Sequence, residues 1–220
     1  MKVFASILAS NHLYLGSEID RALQAGVDGL HVDVMDGHYV NNIMFGPLVT
    51  HEIRNYTELP LNAHFMVENP ENFLVEYCKM GVEWITIHYE TCVDLAQAIN
   101  IVHKYGRKII VAVNLETPIS VLTPWLHQLD GVLVISVKVG IGGQVFNEAA
   151  TKKIRELHAV TKENCLDMEI FVDGGVDLEN ICRIRDAGAT IAIIGTSLFA
   201  SMDMASKMRT IREKLNRKTC

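Results

Sequence analysis

Short apolar, β-branched runs recur along this chain, spaced by stretches in which apolar residues return every three or four positions. Runs of the first kind read as strands and stretches of the second as amphipathic helices. Strands are predicted at 3–8, 29–34, 61–67, 84–88, 108–114, 132–137, 169–173 and 191–195. Helices are predicted at 17–25, 71–80, 93–105, 147–162, 178–187 and 197–216. The segments "AGVDG" (25–29), "MGVEW" (80–84), "YGRK" (105–108) and "AGAT" (187–190) each set a glycine between helix and strand, as a C-cap would. Asn41, Asn42, Gly46 and Pro47 read as loop. Eight strands alternating with helices predict an α/β fold with a parallel sheet, closed as a (β/α)8 TIM barrel or open and doubly wound. The count of eight, and a first strand with no G-x-G-x-x-G after it, favour the barrel.

Composition narrows the class. At 220 residues, 49% of them hydrophobic and 21% charged, the chain can bury one large core, and 1–220 is expected to form a single domain. No apolar run approaches the roughly 20 residues of a membrane helix. "MKVFASILAS" is too short for a signal peptide and reads as the first strand, so a cytoplasmic protein with no membrane partner is expected. A net charge of −6 argues against a nucleic-acid partner. It leaves a phosphorylated small molecule open, since helix N-termini bind phosphate without net basicity. Cys78, Cys92, Cys165, Cys182 and Cys220 are dispersed without a C-x-x-C pair and read as reduced thiols.

The segment "HVDVMDGHYVNNIMFGP" (31–47) puts His31 and Asp33 on one side of a strand, with Val32 and Val34 on the other. Ser6, His31, Asp33, His64, Met66, His88, Asn114 and Asp173 all fall late in their strands or just beyond. In a (β/α)8 barrel those strand ends share the rim that carries the active site. His31, Asp33, His64 and Asp173 there make a plausible cage for a divalent ion. Each histidine taken singly also suits a core position satisfied by a backbone carbonyl. The loops "GIGGQ" (140–144), "DGG" (173–175) and "GTS" (195–197) are glycine-rich after the last three strands, where barrels often bind phosphate. Simple turn-making explains any one of them equally well.

With "ASILAS", "AHFMVENPE", "IHYE", "NLETP", "VGIGGQVF", "VDGGV" and "IIGTSLF" added to the 31–47 segment, the chain resembles the ribulose-phosphate 3-epimerase family. The resemblance implies a barrel of the ribulose-phosphate-binding type and a metal-dependent ketose-phosphate 3-epimerase. Its expected reaction interconverts D-ribulose 5-phosphate and D-xylulose 5-phosphate through a cis-enediolate, with Asp33 and Asp173 exchanging the C3 proton from opposite faces. It implies one divalent ion, Zn or Fe first and Mn or Co next, held by His31, Asp33, His64 and Asp173. It assigns substrate contacts to Ser6, Met35, His64 and Met66. Phosphate contacts fall to Gly140, Ile141, Gly142, Gly143, Gly174, Gly175, Gly195 and Thr196. Met35 and Met66 also suit ordinary gap-filling. A homo-oligomer is expected from the resemblance alone.

The pattern departs from the family at Ala5, Asn41, Ile135, Lys138, Val139 and Ile141. These positions bear on the pocket wall and phosphate loop, so a paralogue acting on a hexulose or tetrulose phosphate, or a non-catalytic sugar-phosphate binder, is an alternative. An orotidine-phosphate decarboxylase relative is disfavoured because Met35 stands where that group has lysine.

Overall fold

The structure, a computed structural model, describes residues 1–217. Eight parallel strands form a closed ring: β1 (Lys2–Ser6), β2 (Gly29–Asp36), β4 (Leu61–Met66), β5 (Trp84–His88), β6 (Lys108–Val113), β7 (Gly131–Ile135), β8 (Glu169–Asp173) and β9 (Ile191–Ile194). β1 closes it by pairing with both β9 and β2. The short β3 (Ile43–Met44) folds back antiparallel onto the end of β2. The barrel reading therefore holds against the open sheet.

Outside the ring lie α1 (Leu15–Ala25), α2 (Pro47–Tyr56), α3 (Glu71–Met80), α4 (Leu95–Lys104), α5 (Ala149–Glu163), α6 (Ile181–Ala187), α7 (Thr196–Phe199) and α8 (Met204–Asn216). Gly26, Gly81 and Gly188 cap α1, α3 and α6 in the left-handed conformation, as their sequence context predicts. Two differences from the sequence reading have physical causes. Pro47 opens a helix rather than lying in a loop, because proline at N1 gives up an N–H that no helix would use. The predicted helix at 197–216 breaks at Ser201–Asp203, where Asp203 caps α8 by accepting from Ser206 N–H at 2.7 Å. Between β6 and β7 the chain makes only two 3-10 turns, at Ile119–Leu122 and Leu126–Gln128. Cys78, Cys92 and Cys165 are free thiols as expected. Cys182 is disulfide-bonded, which corrects the reading of reduced thiols there; linear spacing carries no sign of which cysteines meet. Cys220 lies outside the described residues.

Alternation along the strands sorts two cores. Leu30, Val32 and Val34 on β2, and Leu61, Ala63 and Phe65 on β4, pack outward against the helices. Phe4, Trp84, Ile110, Leu133, Phe171 and Ile193 fill the barrel interior. Phe171 meets Phe4 and Trp84 edge-on, at ring separations of 6.2 and 5.4 Å. The remaining inward positions of β1, β2, β4 and β5 are taken largely by polar side chains: Ser6, His31, Asp33, Asn62, His64, Thr86 and His88 are all buried.

Candidate active site

Strand register assembles the centre of this site. The β2–β4 pairing sets Asp33 beside His64 and His31 beside Asn62. Asp173 arrives at the end of β8, its side chain 26% exposed. His31 Nε2 lies 3.3 Å from Asp33 Oδ1 and 4.0 Å from Asp173 Oδ2. His64 Nδ1 lies 3.2 Å from His31 Nε2 and 3.4 Å from Asp33 Oδ1. One donor atom from each of the four residues lies within 4.8 Å of the others. A tetrahedral ion with bonds of about 2.0–2.2 Å separates its ligands by about 3.3–3.6 Å, so four N and O donors at these spacings fit a divalent ion.

Hydrogen bonds orient the cage. Asn62 donates through Nδ2 to Thr86 Oγ1 at 2.7 Å and to the Trp84 carbonyl at 3.3 Å. Its Oδ1, 2.6 Å from His31 Nδ1, must therefore accept, and the Nε2 side of His31 is turned to the carboxylates. Neither Asn62 nor Thr86 stands out in the sequence, although Asn62 precedes His64 by two positions and so shares its face. Ser6, expected to touch substrate, donates its hydroxyl to Asp33 Oδ2 at 2.8 Å.

The same burial leaves the four groups with different protonation. At Asp33 desolvation is outweighed by His31 and His64, which hold the carboxyl well below the usual range. At Asp173 burial dominates, the Asp33 charge adds to it, and the carboxyl is pushed up to about 6. Burial depresses His64 to about 3, with help from His88 and His31. His31 is raised: desolvation lowers it, but Asp33, Asp173 and Asn62 together prevail.

A cavity of about 590 Å³ opens over this cluster. Ser6, Asp33, His64, Met66 and Asp173 line it, together with Gly140, Ile141, Gly142, Gly143, Gly174, Gly175, Gly195 and Thr196. Met35 does not; it packs with Val40 and Met66. His31 is wholly buried beneath. Glu148 and Arg183, paired with each other, also line the cavity and were not singled out by sequence. The Gly174 N–H, expected to meet phosphate, donates to Asp173 Oδ1 at 2.7 Å.

Two loops meet over the opening. Gln144 knits the 138–144 loop, donating to the Lys138 and Ile141 carbonyls, each at 2.7 Å. Lys138 itself is exposed along the cavity. At Gly140 a Cβ would stand 2.7 Å from Val40 Cβ, so its absence lets this loop pack on the one after β2. Gly175 has φ +63°, and a Cβ there would come within 2.3 Å of Phe146 N.

A closed (β/α)8 barrel with buried imidazoles, two unlike carboxyls and glycine loops around one cavity defines an acid–base barrel protein whose centre can hold a metal ion. More particularly, the profile of the ribulose-phosphate 3 epimerase family matches residues 2–199, and this chain belongs to that family. It is 36% identical to the ribulose-phosphate 3-epimerase of Bacillus subtilis (strain 168), covering 96% of this chain and 98% of that one. Identity to the Methanocaldococcus jannaschii ribulose-phosphate 3-epimerase is 38%, over 97% and 90% of the two chains. The chloroplastic ribulose-5-phosphate-3-epimerase of Arabidopsis thaliana is 37% identical, covering 96% of this chain and 75% of its own. Among solved structures, the KGPDC of Streptococcus mutans superposes with a TM-score of 0.72 at 13% identity, covering 98% of this chain and 97% of that one. That is a likeness of fold. Among the described residues, no helix is long and apolar enough to cross a membrane.

Proposed function

We propose that this chain, acting over 1–220 as one barrel domain, is a metal-assisted ketose-phosphate 3-epimerase interconverting D-ribulose 5-phosphate and D-xylulose 5-phosphate. The observation that carries the reading is the pair Asp33 and Asp173, two carboxyls in one cluster with unlike surroundings: Asp33 is buried against two imidazoles, and Asp173 stands at the cavity with its side chain 26% exposed. Unlike environments around like groups are what an acid and a base at one carbon need. One carboxylate takes the C3 proton, the electron pair spreads over a C2–C3 enediolate, and the other carboxyl returns a proton to the opposite face. No electrons are gained or lost, so the reaction needs no nicotinamide. A divalent ion held by His31, Asp33, His64 and Asp173 supplies Lewis-acid stabilisation of the developing charge, with Zn or Fe suiting the donors first and Mn or Co next.

Met66 supplies an apolar wall behind the sugar, backed by the buried Met35, and Ser6 holds Asp33 in place beside it. The phosphate falls to the loop at Gly140, Ile141, Gly142 and Gly143 and to the backbone at Gly174, Gly175, Gly195 and Thr196, where α7 begins. The relatives described above are named for ribulose phosphate, which favours a pentulose over the hexulose and tetrulose phosphates raised by Lys138, Val139 and Ile141. A homo-oligomeric assembly and a cytoplasmic location are part of the same proposal.

The test is incubation of metal-loaded protein with D-ribulose 5-phosphate in D₂O, following C3 by NMR. Solvent deuterium at C3 together with growth of the D-xylulose 5-phosphate signal is the expected result. Failure to exchange with Zn, Fe, Mn and Co each loaded in turn would overturn the proposal.

A further inference from the structure

The end of β5 and the turn after it hold a second imidazole–carboxylate pair that the proposed proton transfers leave unused. His88, at the end of β5, is fully buried and its ring stacks on that of His64, with centroids 5.0 Å apart. The two Nε2 atoms are 2.9 Å apart. On the other side of the ring, His88 Nδ1 lies 3.2 Å from Glu90 Oε2 and 3.2 Å from the Tyr39 hydroxyl. Glu90 is fixed in turn. Its Oε1 accepts from the Asn114 N–H at 2.9 Å and from the Thr117 hydroxyl. That turn is anchored by Lys153, largely buried, whose Nζ donates to the carbonyls of Asn114, Leu115 and Thr117.

These contacts dictate where protons sit. Desolvation works against the Glu90 charge, but donors from His88, Thr117 and Asn114 outweigh it and bring the carboxyl down to about 2. An ionised carboxylate only accepts, so His88 Nδ1 carries a proton. In the neutral ring His88 Nε2 is then an acceptor, and the 2.9 Å contact requires the proton on His64 Nε2. His64 Nδ1 is left as a bare lone pair facing Asp33 and His31. Tyr39, held by Asn114 Nδ2 at 2.7 Å, ties the loop after β2 to the same point.

We propose that His88 and Glu90 are positioning residues: through a relay from the buried His64 and His88 out to Glu90 they lock His64 in the tautomer whose Nδ1 can bind a metal ion. The inference rests on the metal-centre reading above. It is tested with full-length protein labelled with ¹⁵N at histidine, wild type against Glu90→Gln and His88→Phe. Ring nitrogen shifts report the His64 tautomer in metal-free protein, and competition with a chelator reports Co(II) affinity. The expected result is a wild-type His64 protonated on Nε2, with Co(II) binding weakened by about 10–100-fold in both variants. In Glu90→Gln the amide can donate to His88 Nδ1, so a shift of the His64 proton toward Nδ1 is expected as well. Glu90→Gln keeps the shape of the side chain and serves where His88→Phe fails to fold. A wild-type His64 protonated on Nδ1, or Glu90→Gln with unchanged tautomer and Co(II) affinity, would overturn the relay. Wild-type protein with His64 protonated on Nε2 but no Co(II) binding would instead overturn the metal centre.

Discussion

Asp33 and Asp173 differ in exposure and in their neighbours. Asp33 faces two imidazoles and a serine hydroxyl, whereas Asp173 meets His31 only at 4.0 Å and shares the cluster with another carboxylate. Burial raises both, and only at Asp33 do the partners win. Replacing either by Asn keeps the shape and removes the proton carrier. Turnover in Asp33→Asn and Asp173→Asn should fall by at least about 10²–10⁴-fold, with unchanged circular dichroism. Near wild-type kcat in either variant would remove the two-acid scheme. Glu90 makes a separate, thermodynamic prediction. Its folded carboxyl titrates near 2 against an ordinary 4.5, so between those values the unfolded chain binds more protons. The stabilisation is complete above about pH 4.5 and is lost as pH falls toward 2. Urea titrations over that window should show Glu90→Gln losing less stability with acid than wild type, by on the order of 1 kcal/mol once solvent screening of this partly exposed carboxylate is allowed for. Parallel acid limbs would contradict this.

At the scale of elements, loop interlock couples the glycine-loop end of the cavity, the proposed phosphate end, to its opening. Gly175 accepts the Asn180 side-chain amide on its carbonyl at 2.8 Å, and its bare Cα faces Phe146. Gly175→Ala asks an L side chain to adopt a positive φ and to displace backbone, so the 138–146 loop must move. KM for the sugar phosphate should rise while kcat changes less, and stability should fall by about 1–3 kcal/mol. A KM within twofold of wild type would show that this packing does not shape the phosphate end. The elements that carry chemistry were the legible ones. Their apolar faces alternate with His31, Asp33, His64 or Asp173 in a single register, and period two survives the polar cargo. α2 was hidden because its exposed face bears Leu48, Val49 and Tyr56 while Thr50 and Ile53 point inward, which inverts the usual amphipathic signal. Asn62 and Thr86 were hidden for another reason. Their role lies in a cross-strand hydrogen bond, and strand register is a property of the sheet rather than of either sequence segment.

Across the whole molecule, the barrel interior is divided. One region is filled by Phe4, Trp84, Leu133 and Phe171 and packs as an ordinary core. The late inward positions of β1, β2, β4, β5 and β8 hold Ser6, Asp33, His64, His88 and Asp173, a polar set held by its own members together with His31, Tyr39, Glu90 and the Gly174 N–H. Such a set is costly to bury unless every member is held, and an apolar floor that does not yield is one way to hold it. The division predicts separable effects. Phe171→Ala removes a ring that Phe4 and Trp84 both meet edge-on, without touching any of the four cage residues' hydrogen bonds. Its urea midpoint should drop by the equivalent of about 3–5 kcal/mol. The surviving folded protein should bind Co(II) within a few-fold of wild type. A variant that keeps its stability would mean the floor is loosely packed. One that loses metal affinity along with stability would mean that floor and cage form one cooperative unit, with the apolar core setting the geometry at which the four ligands meet.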